Sequence, residues 1–110
     1  MKIKKTASYV HITSTENSVV EFVANFNEKY SQLSEQHIII DFSEKINIEI
    51  KDLLLFLKTS LKHQTNGFSF VIINNGIDID DIPDEINIVP TFTEALDILE
   101  MDAIERDLGF

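Results

Sequence analysis

Apolar positions along the chain alternate in some stretches and recur at helical intervals in others, and each change of period marks an element. Tyr9 to Thr13 alternates and carries β-branched and aromatic side chains, the pattern of a strand, with Ile3 in a short strand before it. Ser18-Val-Val-Glu21 has the spacing of a capping box. Val19, Phe22, Val23, Phe26, Tyr30 and Leu33 then recur every three or four residues, which predicts a helix to about residue 34. His37 to Asp41 is an apolar run closed by an acid, as in a buried strand whose carboxylate stands at the C-terminal edge. Ile46, Ile48 and Ile50 alternate, yet Asn47 also suits the cap of a helix with Ile50, Leu53, Leu54, Leu57 and Leu61 on its core face, stopped by Asn66-Gly67. Phe68 to Ile73 reads as a second buried strand, and Asn74-Asn75-Gly76 as a turn. Ile77, Ile79 and Ile82 sit among aspartates before Pro83, in an irregular acidic loop or edge segment. Ile86 to Val89 forms a short strand. Thr91 to Glu94 is a second capping box, opening a helix with the stripe Phe92, Ala95, Leu96, Leu99 and Ala103.

Strands alternating with helices predict an α/β fold with a mixed, mostly parallel sheet of about four strands and helical crossovers, the N-terminal strand being antiparallel. The 110 residues, 44% of them hydrophobic, fit one domain with a real core. With no cysteine, disulfides, thiolate metal sites and a cysteine nucleophile are excluded. The longest apolar runs, Leu53 to Leu57 and Phe70 to Ile73, are too short for a membrane span. Tyr9-Val-His11 follows the basic start where a signal peptide would need its long apolar stretch, so the expected location is cytoplasmic.

Charge changes this picture by position. Residues 1 to 75 hold eight acids and eight lysines and are neutral, whereas residues 76 to 110 hold eleven acids against Arg106 alone, which is the whole net charge of -10. Such a surface repels phosphate backbones, which argues against nucleic acid, and favours either simple solubility or a protein partner with a basic surface.

Candidate chemistry is sparse. Three glycines cannot build most phosphate loops or nucleophile elbows. His11, His37 and His63 are isolated in sequence and read as surface or strand-end residues. The acids from Asp78 to Glu85 lack the central glycine and distant glutamate of a calcium loop. Asp41 stands where sites collect in doubly wound folds, but no partner acid or lysine can be named beside it. No enzyme, cofactor or metal site is expected.

The segment Ile38-Ile-Ile-Asp41-Phe-Ser43, the helix after it, Phe70 to Ile73, and Val89-Pro-Thr-Phe-Thr-Glu-Ala95-Leu together resemble the sulfate transporter and anti-sigma factor antagonist (STAS) domain over about residues 8 to 100. That resemblance implies a regulatory module that binds protein partners without catalysis and is switched by phosphorylation of a Ser or Thr at a helix N-terminus. The matching stretch near Glu49, Ile50 and Lys51 carries no hydroxyl, so the usual switch is not expected in this chain. Ser43 remains as the Ser of Asp-x-Ser, with a turn or cap hydrogen bond as its plainer role. The alternative to an interaction module is a small-ligand or anion-binding accessory subunit of an enzyme, using the helix N-terminus near Asn47 to Lys51.

Beyond the resemblance, residues 101 to 110 form an acidic amphipathic tail continuing the last helix. At 100° per residue, Ile98, Met101, Ile104 and Leu108 fall opposite the main stripe, and Phe110 follows them. Three arrangements reconcile two apolar faces: a bend near Glu100 that folds the tail onto the domain, a homodimer, or docking in another protein's groove. These residues are the expected partner-binding surface. The ending also resembles small Bacteroidetes proteins encoded beside ribonuclease Z. The hydrolase itself needs a dense His/Asp metal cluster that three scattered histidines cannot supply.

Overall fold

The structure is a computed structural model that describes residues 1–42, 48–77 and 79–109. In chain order the elements are β1 (Lys2–Lys5), β2 (Val10–Thr13), α1 (Val19–Leu33), β3 (Ile38–Asp41) and α2 (Ile50–Leu53). A 3₁₀ turn at Leu54–Phe56 leads into α3 (Leu57–Thr65) and β4 (Phe70–Ile73), and a second one at Ile79–Asp81 precedes β5 (Asn87–Val89) and α4 (Phe92–Asp107). The five strands form one sheet in the order β1-β2-β3-β4-β5, one strand more than the pattern predicts, because Lys2–Lys5 makes a full edge strand. β1 runs antiparallel to β2 and every other pair is parallel.

The hairpin between β1 and β2 is organised by Thr6, whose hydroxyl oxygen accepts from the N–H groups of Ser8 and Tyr9, each at 3.1 Å. Lys2, Lys4 and Lys5 leave a charged outer edge that discourages pairing with a further strand. β3 and β4 lie inside the sheet with helices on both faces, which is why their sequences, Ile-Ile-Ile and Phe-Val-Ile-Ile, are apolar without alternation.

A sheet whose parallel strands follow in sequence order advances the same way at every crossover, and right-handed crossovers then fall on one face. Accordingly α1, the α2–α3 segment and the β4–β5 connection all cover the face built from Val10, Ile12, Ile38, Ile40, Phe70, Ile72 and Ile88. Five phenylalanines fill the space between, with Phe22 and Phe42 edge-to-face at 4.9 Å and Phe26 and Phe70 at 6.1 Å. The other face is left to α4, which packs Phe92, Ala95, Leu96, Ile98 and Leu99 on Ile39, Val71 and Ile73.

Of the two predicted capping boxes, the hydroxyl half of each forms. The Ser18 hydroxyl accepts from Glu21 N–H and the Thr91 hydroxyl from Glu94 N–H, each at 3.2 Å. The second helix departs from its pattern. Its buried residues are Leu53, Phe56, Ser60 and His63, whereas Leu54 and Leu61 are 49% and 43% exposed. Leu53, Phe56, Ser60 and His63 share one face at helical spacing, so Phe56, the larger side chain, takes the core position and Leu54 and Leu61, about 100° and 80° around the helix from Leu53, face outward. The Asn47 cap lies outside the described residues; the first cap seen is at Glu49.

Candidate functional site

Two regions bear on function: the C-terminal edge of the sheet and the outer face of α4. At the first, residues 11, 39 and 41 share a sheet face by strand alternation, which puts His11 of β2 beside Asp41 of β3. His11 Nε2 lies 3.0 Å from Asp41 Oδ2 and donates to it, since a carboxylate only accepts. Phe92, in the first turn of α4, stacks on the imidazole with ring centroids 4.7 Å apart. The sequence hid this pair because its members are thirty residues apart; only the adjacency of β2 and β3 brings them together. The arrangement fastens β2, β3 and the start of α4.

At the same edge a groove of about 470 Å³ is lined by Asn74, Asn75, Gly76, Ile77, Ile88, Val89 and Pro90. Its position follows from topology. The chain leaves β4 toward the α3 face and leaves β5 toward the α4 face, and such a divergence opens a crevice at the strand ends. Asn74 holds its rim: its Nδ2 donates to Phe42 O at 3.3 Å and its Oδ1 accepts from Gly76 N–H at 3.0 Å. Neither His11 nor Asp41 is among the residues that line this groove.

The region matching the phosphoacceptor stretch is acidic. Glu49 N–H donates to the Asp52 carboxylate at 3.0 Å, and Lys51 Nζ lies 3.2 Å from Glu49 Oε2 in an exposed pair. Two carboxylates at the start of a four-residue helix repel a further anion, which removes the physical basis for an anion site at Glu49 to Lys51. Ser43 lies outside the described residues.

Of the three histidines expected at the surface or at strand ends, His63 departs, because α3 turns it into the core. His63 is fully buried on α3, with Nε2 donating to Gln36 O at 2.7 Å and Nδ1 accepting from the Tyr30 hydroxyl at 2.8 Å. Burial holds its imidazole below the ordinary value, opposed by the Gln36 hydrogen bond. His37 is also held low, first by burial and then by Arg106, and its Nδ1 accepts from Ser69 N–H at 2.9 Å. Both neutral rings serve as connectors. Among the described residues no group of three or more His, Asp or Glu side chains could hold a metal ion.

On the second region, α4 continues as one uninterrupted helix through Glu100 to Asp107. Its far half is held down by Asp102, whose carboxylate accepts from the buried Ser69 hydroxyl at 2.7 Å. Ile98, expected on the partner face, instead packs against the Ile39, Val71 and Ile73 cluster, because it lies only about 60° around the helix from Ala95. Met101, Ile104 and Leu108 do project outward, at 55%, 54% and 67% exposure. They form one stripe with Asp97, flanked by Glu94, Glu100 and Glu105, all exposed. Phe110 lies outside the described residues.

No protein-family model matches the chain, and no curated protein matches it. No helix among the described residues is long and apolar enough to cross a membrane.

Proposed function

We propose that this chain is a non-catalytic, STAS-like interaction module that works in the cytoplasm without the usual phosphorylation switch and binds a basic protein partner through α4. The observation that carries the reading is the outward stripe of Met101, Ile104 and Leu108, ringed by carboxylates on a helix fixed at both ends. An apolar strip for burial and flanking charge for orientation are the components of a helix-docking surface. Support for the reading comes from Asp41 closing β3, from Thr91 capping α4 and from the carboxylates of Glu49 and Asp52 where a phosphoacceptor hydroxyl would be needed.

A synthetic amphipathic helix of lysine and leucine, titrated into the labelled protein, tests this directly. Backbone amide shifts should move along residues 97 to 108 and stay fixed around Asn74 to Ile77. Shifts absent from α4 refute the reading. A second reading, a small-ligand accessory subunit, is favoured by the crevice at Asn74 to Ile77 and Ile88 to Pro90, whose apolar floor and amide rim suit a neutral amphiphile. Ligand-induced shifts confined to those residues would support it instead.

A further inference from the structure

The stripe on α4 has a counterpart on the opposite side of the molecule. Along α2, the 3₁₀ turn and α3, the exposed residues Lys51, Leu54, Leu55, Lys58, Leu61 and Lys62 recur at helical spacing and form a second apolar strip, here edged with lysines. Residues 49 to 65 carry three lysines against Asp52 and Glu49, the latter paired with Lys51, which leaves a local charge of +1 centred on Lys58 and Lys62, whereas residues 92 to 107 carry six acids and one arginine, a local charge of -5. The two strips also match in length: Lys51 to Lys62 and Asp97 to Leu108 each rise over eleven residues, about 16 Å.

We infer that the occupant of the α4 stripe is the α2–α3 stripe of a second copy of this chain, so that copies associate head to tail. The inference rests on the reading of α4 as a docking surface and adds its partner. The argument is complementarity of sign, pattern and length between two surfaces whose leucines, Met101 and Ile104 stay exposed in the described structure. Because α2–α3 and α4 cover opposite faces of the sheet, one contact leaves the other two stripes free, which makes the contact heterologous and able to propagate. Two short helix faces bury less than about 1,200 Å² in total, so the association is transient and becomes visible at high protein concentration.

Sedimentation velocity on the full chain, up to about 1 mM, reaches contacts as weak as a Kd of about 1 mM. The weight-average mass of the native protein should climb with concentration without a plateau at two chains. Lys58→Glu/Lys62→Glu, which takes residues 49 to 65 from +1 to -3, and Asp97→Lys/Glu100→Lys/Glu105→Lys, which takes residues 92 to 107 from -5 to +1, alter exposed positions only, and each variant alone should remain monomeric. Their equimolar mixture should associate again, because each reversed stripe then meets a complementary one. A native protein that stays monomeric, or two variants that associate as the native protein does, overturns the inference. A monomeric native protein that still binds the lysine-leucine helix through residues 97 to 108 overturns only the self-association and leaves the docking role of α4 standing.

Discussion

Tyr30→Phe removes a single oxygen from the contact between α1 and α3. The ring keeps its place beside Phe26, whose centroid is 5.7 Å away, while the donor to His63 Nδ1, 2.8 Å from that oxygen, is lost. His63 is fully buried and its Nε2 proton is already committed to Gln36 O, so Nδ1 is left as a buried acceptor without a partner. An orphaned acceptor of this kind costs about 1–3 kcal/mol; the lower desolvation cost of Phe relative to Tyr brings the expected loss to about 1–2 kcal/mol. For a domain of about 100 residues that corresponds to a fall in Tm of about 5–10 °C. Urea unfolding followed by far-UV circular dichroism should show a lower midpoint at unchanged slope. The hydrogen bond can be separated from a general loosening with His63→Leu: in that background Tyr30→Phe should cost nearly nothing, giving a coupling of about 1–2 kcal/mol. Equal cost in both backgrounds, or less than about 0.3 kcal/mol in the native one, refutes the account of His63 as a neutral, doubly bonded connector.

Two further outcomes follow from the buried polar contacts. Burial lowers the folded-state pKa of His63 and His37, so below about pH 6.5 the unfolded chain binds more protons than the folded one. Stability should therefore drop as pH falls from 7 through that window and level off once the folded imidazoles protonate; His63→Leu should flatten the slope measured by urea midpoints, and an unchanged slope contradicts the assignment. Ser69→Ala removes the hydroxyl that Asp102 accepts from, and hydrogen exchange should accelerate in residues 101 to 107 while the amides of Thr91 to Ala95 keep their protection. Uniform acceleration along α4 would show that Ser69 acts on the whole fold rather than as a local anchor.

The elements legible in the sequence are those whose information is local. The capping boxes at Ser18 and Thr91 place both long helices, and the unbroken apolar runs of β3 and β4 announce strands covered on both faces. The α2–α3 segment misleads because its leucines and its core residues obey nearly the same period; the choice between Leu54 and Phe56 is made by the phenylalanine cluster on which the segment packs, on its own face of the sheet. What the sequence does not disclose are contacts between residues about thirty positions apart: His11 with Asp41, Tyr30 with His63, Ser69 with Asp102. Strand order and face parity are needed to bring those pairs together, and neither can be read from spacing. The three histidines illustrate the point, since isolation in sequence says nothing about isolation in space.

The same topology accounts for the two-faced composition of the last helix. Successive right-handed crossovers place every earlier element on one side of the sheet, so a single helix has to cover Ile39, Val71 and Ile73 alone. It is fixed at the strand C-termini by Phe92 on the His11–Asp41 pair and near the strand N-termini by Asp102 on Ser69. A helix held at both ends needs no neighbour on its outer side, and Met101, Ile104 and Leu108 stay exposed among the described residues. Solubility alone would fill that outer side with charge, as Glu94, Asp97, Glu100 and Glu105 do. Met101, Ile104 and Leu108 have no such purpose, because they contribute nothing to covering the sheet and expose apolar area on one of the most acidic elements of the chain. Apolar side chains kept in register among like charges make physical sense where an oppositely charged strip comes to cover them, and the lysine-edged strip on α2–α3 has that sign, pattern and length.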